Sequence, residues 1–459
     1  MKKNVGIRHK MTLDKIINKE MKRMKKYIIT SAQYCAPANH QFLNSLETYA
    51  RENNAEILVL PMPGKHRDDN QLHRRFMDYR TVDELKLNDN IRISGYQLRP
   101  QQIDPSTGIA RFAQRDTSTI FASPKQRMKY VPNNSTNEPK VIMGTGASTH
   151  PYYRDNRLGR IASKDHVYGA LMVELDGNKR YHFRQLTALK NGKFCDLGVL
   201  YDNNRAVVER PEAMVLGDWH VGDTDEQVRL ETFDMIRRYK PKRVFIHDFF
   251  NGYSINHHNL GQIVTQANQY QEHGLNLGSE LALCGDEMFA LYDALPSDSE
   301  LVFVRSNHDE FLSRYLQSGR FINEPQNILI ASKLLTAYLE GKDPLRAGIG
   351  ITHEIPRNVT FLERDERYLV RGWQLGEHGD VGANGARGSI RSTENALGKS
   401  ISGHKHTPEI QRNTYVVGTS TRLKLDYNRG YSSWFNTHAF LYSNGKSQLI
   451  NIVDGKHRK

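Results

Sequence analysis

The stretch ELVFVRSNHDE, residues 300–310, changes abruptly from apolar to polar side chains. Its apolar, β-branched first half predicts a buried strand. The polar half brings an amide, an imidazole and two carboxylates to the end of that strand, in Asn307, His308, Asp309 and Glu310. We expect Asp309 and Glu310 to begin the following helix, as acidic residues at a helix start commonly do. Asn307 and His308 then remain for chemistry.

Four other predicted strands end in the same manner. The five polar clusters are GDWHVGD (217–223), IHDFFNG (246–252), SNHDE (306–310), GEHGD (376–380) and SGHKH (402–406). Strands and helices alternate from about residue 211, which favours an α/β (α+β) fold with sheets covered by helices, and strands dominate after residue 350, which predicts a second sheet. Loops at the carboxyl ends of strands converge on ligands, so we expect the five clusters to form one site.

The residue types in these clusters are those that bind divalent metals. Carboxylate, imidazole and amide groups suit Mn²⁺, Fe²⁺ or Zn²⁺, and no cysteine takes part. The candidate ligands are Asp218, His220, Asp248, Asn307, His378, His404 and His406. Seven ligands exceed the need of one tetrahedral ion and suit two ions about 3.5–4 Å apart that share a carboxylate.

The order D-x-H, D, N-H, H and G-H-x-H across residues 211–455 resembles that of the calcineurin-like metallophosphoesterases. The resemblance implies a sandwich of two mixed β-sheets flanked by helices over residues 211–459. It also implies a dinuclear centre in which Asp248 bridges the ions and a bridging hydroxide attacks phosphorus. His308 would bind no metal and would steady the phosphate or protonate the leaving oxygen. The implied ligand sets are Asp218, His220 and His406 for one ion, and Asn307, His378 and His404 for the other.

The sequence departs from the family pattern at several positions. His247 and Ser306 stand where family members usually have glycine, and the Asp-Arg-Gly of the Ser/Thr protein phosphatases is missing after Asp248. The missing motif counts against a protein phosphatase. His353 in GITHEI competes with His378 for the fourth motif. We favour His378, because it follows a predicted strand and is flanked by glycines that would allow a close approach to a metal.

Three features bear on the substrate. The net charge of +13 favours a polyanionic partner, although a merely soluble basic protein is the alternative. The glycine-rich segment 378–400 carries Arg387 and Arg391, which could bind phosphate or lie in an ordinary surface loop. His257 and His258 follow the second cluster and could contact a substrate phosphate, or could form a hydrogen-bonded loop pair.

The sequence GANGARGS…GHKH is similar to that of phage early proteins that degrade host DNA, and the expected architecture resembles that of the SbcD-type and phage-encoded members of this superfamily. We therefore expect a DNA nuclease with two divalent ions, Mn²⁺ above Mg²⁺, Fe²⁺ or Zn²⁺. The alternative is a phosphatase or phosphodiesterase acting on nucleotides or other small esters. A non-catalytic scaffold is a third hypothesis, against which the intact ligand set and His308 argue.

The rest of the chain predicts structure more than chemistry. Residues 1–26 predict a basic helix, either docked on its own protein or contacting DNA or a membrane surface. Residues 27–210 predict a separate α/β domain of unknown role that contains a β-α-β unit, with strands at 25–33 and 55–63 and a helix between them. Three scattered cysteines, no signal sequence and no long apolar run indicate a cytoplasmic protein without a membrane span, in the host cytoplasm if the chain is phage-encoded. A homo-oligomer stays open.

Overall fold

The polypeptide folds as two units that divide between Val207 and Val208. This computed structural model describes residues 24–458 except 97, 99–101, 103, 110–116, 135–138, 275 and 426–427. The expected basic helix over 1–26 lies outside the described residues up to position 23. Among the described helices, none combines the length and apolar composition that a membrane crossing requires.

The first unit is built mainly of strands. Its strands are β1 Lys26–Gln33, β2 Glu56–Met62, β3 Arg80–Thr81, β4 Leu85–Lys86, β5 Ile91–Ser94, β6 Ser118–Phe121, β7 Met128–Tyr130, β8 Val141–Gly144, β9 Gly169–Asp176, β10 Arg180–Thr187, β11 Phe194–Asp196, β12 Val199–Asp202 and β13 Arg205–Val208. Its helices are α1 His40–Asn53 and α2 Arg157–Asp165, with a 3₁₀ turn at Arg74–Phe76. One sheet has the order β10-β9-β1-β2-β3; β7-β8-β6-β5-β4 and β11-β12-β13 form further runs of paired strands.

The β-α-β unit predicted from the sequence is confirmed. β1 and β2 pair in parallel with Ile29 opposite Leu58, and α1 connects them. The Asn39 side chain caps α1 by accepting a hydrogen bond from the backbone N–H of Phe42, and Phe42 and Leu46 lie in the apolar core of this unit. The parallel pair is therefore held by the apolar face of the helix that links it.

A buried ionic cluster ties this core together. The Arg184 guanidinium on β10 lies 2.6 Å from a Glu174 carboxylate oxygen on β9 and 2.8 Å from an Asp196 oxygen on β11. The Tyr49 hydroxyl on α1 donates to Asp196 at 2.6 Å, and the Lys26 ammonium lies 2.9 Å from Glu174. Burial would raise the pKa of Glu174, but Arg184 and Lys26 outweigh burial and lower that pKa to about 2.

The second unit contains two groups of strands and most of the helices. Its strands are β14 Ala213–Val215, β15 Arg243–Ile246, β16 Glu300–Phe303, β17 Val359–Phe361, β18 Leu369–Val370, β19 Trp373–Gln374, β20 Ser400–Ser402, β21 Glu409–Gln411, β22 Thr414–Val416, β23 Thr437–Leu441 and β24 Ser447–Asn451. Its helices are α3 Glu226–Tyr239, α4 Ile263–His273, α5 Leu277–Ala294, α6 Glu310–Ser318, α7 Ile328–Leu339, α8 Pro344–Ile349 and α9 Ile390–Leu397. Its 3₁₀ turns are His257–Asn259, Arg320–Asn323 and Ala383–Gly385.

The strands of the second unit form mixed sheets. The first has the order β17-β16-β15-β14-β23-β24, in which the first four strands are parallel and the last two are antiparallel to their neighbours. The second group has the order β18-β19-β20-β22-β21, with β19, β20 and β22 parallel. Parallel neighbours end at the same edge of a sheet, so β14, β15 and β16 bring the polar clusters that follow them together.

We predict that Arg184→Met loosens the first unit. The substitution leaves Glu174 and Asp196 buried without their cation, so the free energy of opening β9 and β10 should fall by about 3–5 kcal/mol. Native-state hydrogen exchange on these strands measures this quantity. Arg80→Met is the matched control, because Arg80 forms an exposed ion pair with Glu56 at 3.5 Å. Equal exchange in the two variants would contradict a structural role for the buried cluster.

The same cluster predicts a pH dependence. The pKa of Glu174 is depressed from 4.5 to about 2 in the folded chain, so its contribution to stability is present above pH 4.5 and is lost as the pH falls toward 2. Glu174→Gln should therefore be less stable than the parent protein at pH 6. The difference should shrink steadily between pH 4.5 and pH 2, as measured by hydrogen exchange corrected for intrinsic rates. A constant difference across that range would contradict the prediction.

Candidate metal centre

Two of the polar clusters form adjoining turns past neighbouring strands. Asp218 and His220 follow β14, and Asp248 follows β15. Backbone hydrogen bonds continue the ladder beyond both strands, because the His220 N–H donates to the Asp248 carbonyl at 2.7 Å and the Trp219 N–H donates to the His247 carbonyl at 3.0 Å. The register of the sheet thus fixes where the two carboxylates lie.

The other strand group supplies the remaining histidines. His378 follows β19, whereas His404 and His406 follow β20, the parallel neighbour of β19. The Gly403 N–H donates to the His378 carbonyl at 2.9 Å. A Cβ atom on Gly403 would lie 2.1 Å from Asp218 Oδ1, so only glycine allows the two sheets to meet at this carboxylate.

The candidate ligands form two groups that share Asp248. In the first group, His406 Nε2 lies 3.1 Å from both Asp218 Oδ2 and His220 Nε2. His220 Nε2 in turn lies 3.5 Å from Asp248 Oδ2. All four side chains are buried. The first group therefore offers two carboxylates and two imidazole nitrogens to one point.

The second group lies on the other side of the same carboxylate. His378 Nε2 lies 3.3 Å from Asp248 Oδ2 and 3.0 Å from the Asn307 side-chain oxygen. His404 Nδ1 lies 3.1 Å from that same Asn307 oxygen. Asp248 Oδ2 thus stands between His220 and His378, in the position of a shared ligand. The structure brings together all seven residues that the sequence predicts.

The buried oxygens of the cluster fit a divalent cation. Among the described residues, no hydrogen bond of normal geometry reaches either Asp218 oxygen or Asp248 Oδ1, although all three atoms are buried. A buried carboxylate without a partner is costly. The donor atoms are separated by 3.0–3.5 Å, close to the roughly 3.0–3.4 Å between neighbouring ligands whose bonds to one ion are near 2.1 Å. The cluster could hold metal ions without rearrangement.

Four of the clustered residues adopt left-handed backbone conformations. Their φ angles are 50° for His220, 47° for Asp248, 71° for His404 and 55° for His406. Residues other than glycine rarely adopt this conformation, and it persists where the surrounding structure enforces it, most often at functional sites. The turns after β14, β15 and β20 therefore hold these side chains toward the cluster at the expense of backbone strain.

The electrostatics of the cluster are strongly perturbed. Burial and the neighbouring Asp248 raise the pKa of Asp218 to about 7. Burial also acts to raise the pKa of Asp248, but nearby imidazoles, His378 first among them, hold it well below its usual value. Burial lowers the pKa of His406 to about 3, whereas Asp248 outweighs burial at His378 and raises its pKa to about 9. Shifts of this kind concentrate at functional sites.

His308 lies beside the cluster but outside both groups of metal-ligand candidates. Its ring lies 4.6 Å from the His220 ring, and its Nδ1 lies 3.0 Å from the Asn251 carbonyl oxygen. Because a carbonyl only accepts, Nδ1 carries the proton and Nε2 remains available to exchange one. Asn307 thus lies against two of the candidate ligands and His308 belongs to neither ligand group, which is the difference in position that the sequence predicts.

Asp309 and Glu310 begin α6 as expected, because Asp309 is its N-cap residue and Glu310 its first residue, but the Asp309 side chain makes no capping hydrogen bond to the helix. The buried carboxylate accepts instead from the backbone N–H and hydroxyl of Ser306 and from the backbone N–H of Phe250. Asp309 therefore ties the turn carrying Asn307 to the turn carrying Asp248. The competitor His353 lies away from the cluster, with its Nε2 3.0 Å from Asp286, whereas His378 Nε2 lies 3.3 Å from Asp248.

A cleft of about 950 Å³ in the second unit is lined by Asn307 and His308. Of the predicted substrate contacts, His258 also lines it, and His257 packs against His258 with ring centroids 4.0 Å apart. Within the described chain, neither Arg387 nor Arg391 belongs to the lining, and both are exposed. The glycine-rich segment therefore does not supply the expected arginines to this cleft.

The sequence reasoning missed the cationic side of the cleft. Arg422 and Lys424 line it, and they follow β22 in the stretch TSTRLK (419–424). The Arg422 guanidinium donates to the buried Asp223 carboxylate at 2.9 Å. These cations follow a buried strand that ends in polar residues, the same pattern that marks the other clusters.

We predict that Mn²⁺ binds this cluster and quenches tryptophan fluorescence. The Trp434 ring lies 4.2 Å from the His406 ring, so a paramagnetic ion held by His406 would quench its emission. At a free concentration about one hundred times Kd, Mn²⁺ should also raise the free energy of unfolding by about 2.7 kcal/mol. His406→Ala should abolish both effects, and His353→Ala should retain them. Equal quenching in both variants would place the ion elsewhere.

The comparisons with known proteins relate the chain to a phage protein. No model of a known protein family matches the chain. The chain is 29% identical to Protein A1 of Escherichia phage T5 over an alignment of 476 positions, which covers 95% of this chain and 83% of that protein. The similarity therefore extends over both units and is not confined to the metal-ligand clusters.

Proposed function

We propose that the chain is a calcineurin-like metallophosphoesterase that hydrolyses phosphodiester bonds in DNA with two divalent ions, Mn²⁺ foremost. The observation that carries this proposal is the pair of candidate ligand groups that share Asp248. His308 lies beside them and belongs to neither group. In this proposal the second unit is the two-sheet sandwich of that family. The role of the first unit is left open.

The donor set assigns a task to each side chain. Asp218, His220 and His406 would hold one ion, and Asn307, His378 and His404 the other, with Asp248 between them. Bound there, divalent ions supply Lewis-acid stabilisation of charge on phosphate and lower the pKa of water. Asn307 contributes a neutral oxygen, which limits the negative charge facing a phosphodiester.

His308 is the residue proposed to move a proton. Its Nδ1–H is held by the Asn251 carbonyl at 3.0 Å, so its Nε2 is the atom that can give a proton to the departing oxygen. In hydrolysis, a water molecule gives up one proton to solvent and its oxygen forms a new bond to phosphorus. The bond from phosphorus to one of its two ester oxygens breaks, and the leaving oxygen takes the proton from His308. His308 lines the cleft, where a phosphodiester would approach.

Nucleic acid fits the charge of the cleft better than a neutral substrate does. Arg314, Arg422 and Lys424 line the cleft beside His308, and the chain carries a net charge of +13. Clustered cations next to a metal centre favour phosphate backbones. We propose the host cytoplasm as the place of action, because the chain is similar to a phage protein.

A second candidate is a phosphodiesterase or phosphatase acting on nucleotides. The volume of the cleft, about 950 Å³, lies within the range of pockets that enclose small molecules. Turnover of a small nucleotide ester with DNA left intact would favour this candidate. Turnover of neither substrate, with metal retained, would favour a non-catalytic scaffold.

We predict Mn²⁺-dependent cleavage of plasmid DNA by the parent protein, and its loss on chelation with EDTA. His308→Ala should lower the cleavage rate by about 10²–10⁴-fold, the usual contribution of a general acid. The same variant should still bind Mn²⁺ in the tryptophan-quenching measurement. Asp248→Ala should lose both cleavage and Mn²⁺ binding, because Asp248 belongs to both ligand groups.

His353→Ala is the matched control for cleavage, since it removes a histidine of the same unit that lies away from the cluster. It should cleave DNA as the parent does. Parent protein that binds Mn²⁺ but leaves every DNA form intact would overturn the nuclease proposal. A His308→Ala variant with parental activity would remove His308 from the mechanism and leave the metal assignment standing.

A further inference from the structure

The cleft beside His308 combines three kinds of side chain with which proteins bind nucleic acids. Cations line it at Arg314, Arg422 and Lys424, and Phe311 and His258 supply rings. Amides form the largest share of the lining. The lining amides are Asn251, Asn256, Asn259, Gln262, Asn268, Gln269 and Asn307. A pocket for inorganic phosphate or a simple ester needs cations but has no use for so many amides.

Most of these amides belong to one segment, residues 256–269, which is held firmly at its start. The Glu280 carboxylate accepts from the backbone N–H groups of Tyr253 and Ser254 at 2.9 and 3.0 Å. Further along, the Asn259 amide donates to the Gln269 side-chain oxygen at 3.0 Å and so joins the 3₁₀ turn to α4. The chain just before this segment is therefore tied to α5, and the Asn259–Gln269 bond joins the two ends of the segment to each other.

The same segment exposes apolar side chains at the cleft. Val264, which lines it, is 72% exposed, and its neighbour Ile263 is 77% exposed. Beside them, the rings of Phe311 and His258 lie 5.8 Å apart, and those of Phe311 and His308 lie 4.8 Å apart. Exposed apolar and aromatic surface next to hydrogen-bonding amides matches the faces and edges of unpaired bases.

The cationic side of the cleft is linked to His308. Asp223 is buried and accepts from the Arg422 guanidinium at 2.9 Å and from the Asn251 amide at 3.0 Å. The carbonyl of that Asn251 receives the His308 Nδ1–H. Asp223 thus fixes a cation of the cleft wall relative to His308, so a phosphate held at Arg422 is placed in a defined relation to the catalytic histidine.

We propose that this cleft binds a single, unpaired nucleic-acid strand, with Arg422 and Lys424 on its phosphates and the amides and rings of residues 256–269 and Phe311 on its bases. This inference rests on the proposed function. A volume of about 950 Å³ lies in the range of pockets that enclose one small ligand, so the cleft takes one to a few nucleotides and is too small to enclose a duplex. The protein therefore acts on single strands, frayed ends or locally opened DNA.

The test measures binding separately from cleavage. Fluorescence anisotropy in EDTA would follow full-length protein with a labelled 12-nucleotide DNA strand, with the same strand in a duplex, and with its RNA counterpart. We expect the single strand to bind at least tenfold more tightly than the duplex. Equal or tighter binding of the duplex would overturn the proposal. RNA binding as tight as that of the DNA strand would support it, because the amides and rings address bases and not the sugar.

Variants locate the binding in the cleft. Lys424→Glu should weaken strand binding about tenfold and reduce the slope of log K against log salt by about 0.7, the amount expected for one lost phosphate contact on a single strand. Gln269→Ala should weaken binding without changing that slope. Lys333→Glu, an exposed lysine on α7 outside the cleft lining, is the matched control and should bind as the parent does. Retained Mn²⁺ quenching of tryptophan shows that each variant is folded.

The two proposals fail in distinguishable ways. If the parent protein cleaves DNA with Mn²⁺ but Lys424→Glu and Gln269→Ala bind and cleave as the parent does, the cleft inference is wrong and the nuclease proposal stands. If no ester is hydrolysed but strand binding depends on Lys424 and Gln269 as expected, the cleft inference stands as a binding site and the nuclease proposal fails.

Discussion

The burial of two carboxylates in one cluster is the constraint around which the second unit is arranged. Asp218 and Asp248 lie inside the protein, where an ionised carboxylate is stable only with a compensating charge. His378 lowers the pKa of Asp248, whereas burial and Asp248 together raise the pKa of Asp218 to about 7. Three parallel strands and the two histidine turns all end at this point. A divalent ion would replace the missing positive charge without moving the strands.

The two units neutralise buried carboxylates in different ways. In the first unit, the Arg184 guanidinium is permanently charged and pairs with both Glu174 and Asp196. Protein side chains therefore supply the positive charge of that cluster. In the second unit the partners are mostly imidazoles that burial keeps neutral, as at His406. Neutral imidazoles are poor counter-ions and good metal ligands. The choice of arginine or histidine therefore separates a structural ionic cluster from one suited to a metal.

Much of the site could be predicted from local sequence, because a buried strand followed by polar residues shows itself within about ten positions. That pattern placed Asp218, Asp248 and Asn307 correctly, and the glycines around His378 distinguished it from His353. The failures depend on packing between distant segments. The Asp309 carboxylate accepts hydrogen bonds from Phe250 and Ser306 and makes no capping bond to α6, although Asp309 is the N-cap residue, because the neighbouring turn brings a backbone donor to it. Arg422 lines the cleft and donates a hydrogen bond there to Asp223, which lies 199 residues earlier in the chain.

The left-handed turns at His220, Asp248, His404 and His406 carry a further consequence for the evolution of this protein. A non-glycine residue in that conformation is strained by roughly 1–3 kcal/mol, and glycine at any of these positions would relieve the strain. Selection for thermal stability alone would therefore favour glycine at these positions and would remove the side chains that form the cluster. The histidines and the aspartate at these positions therefore trade stability of the fold for the placement of their side chains in the cluster.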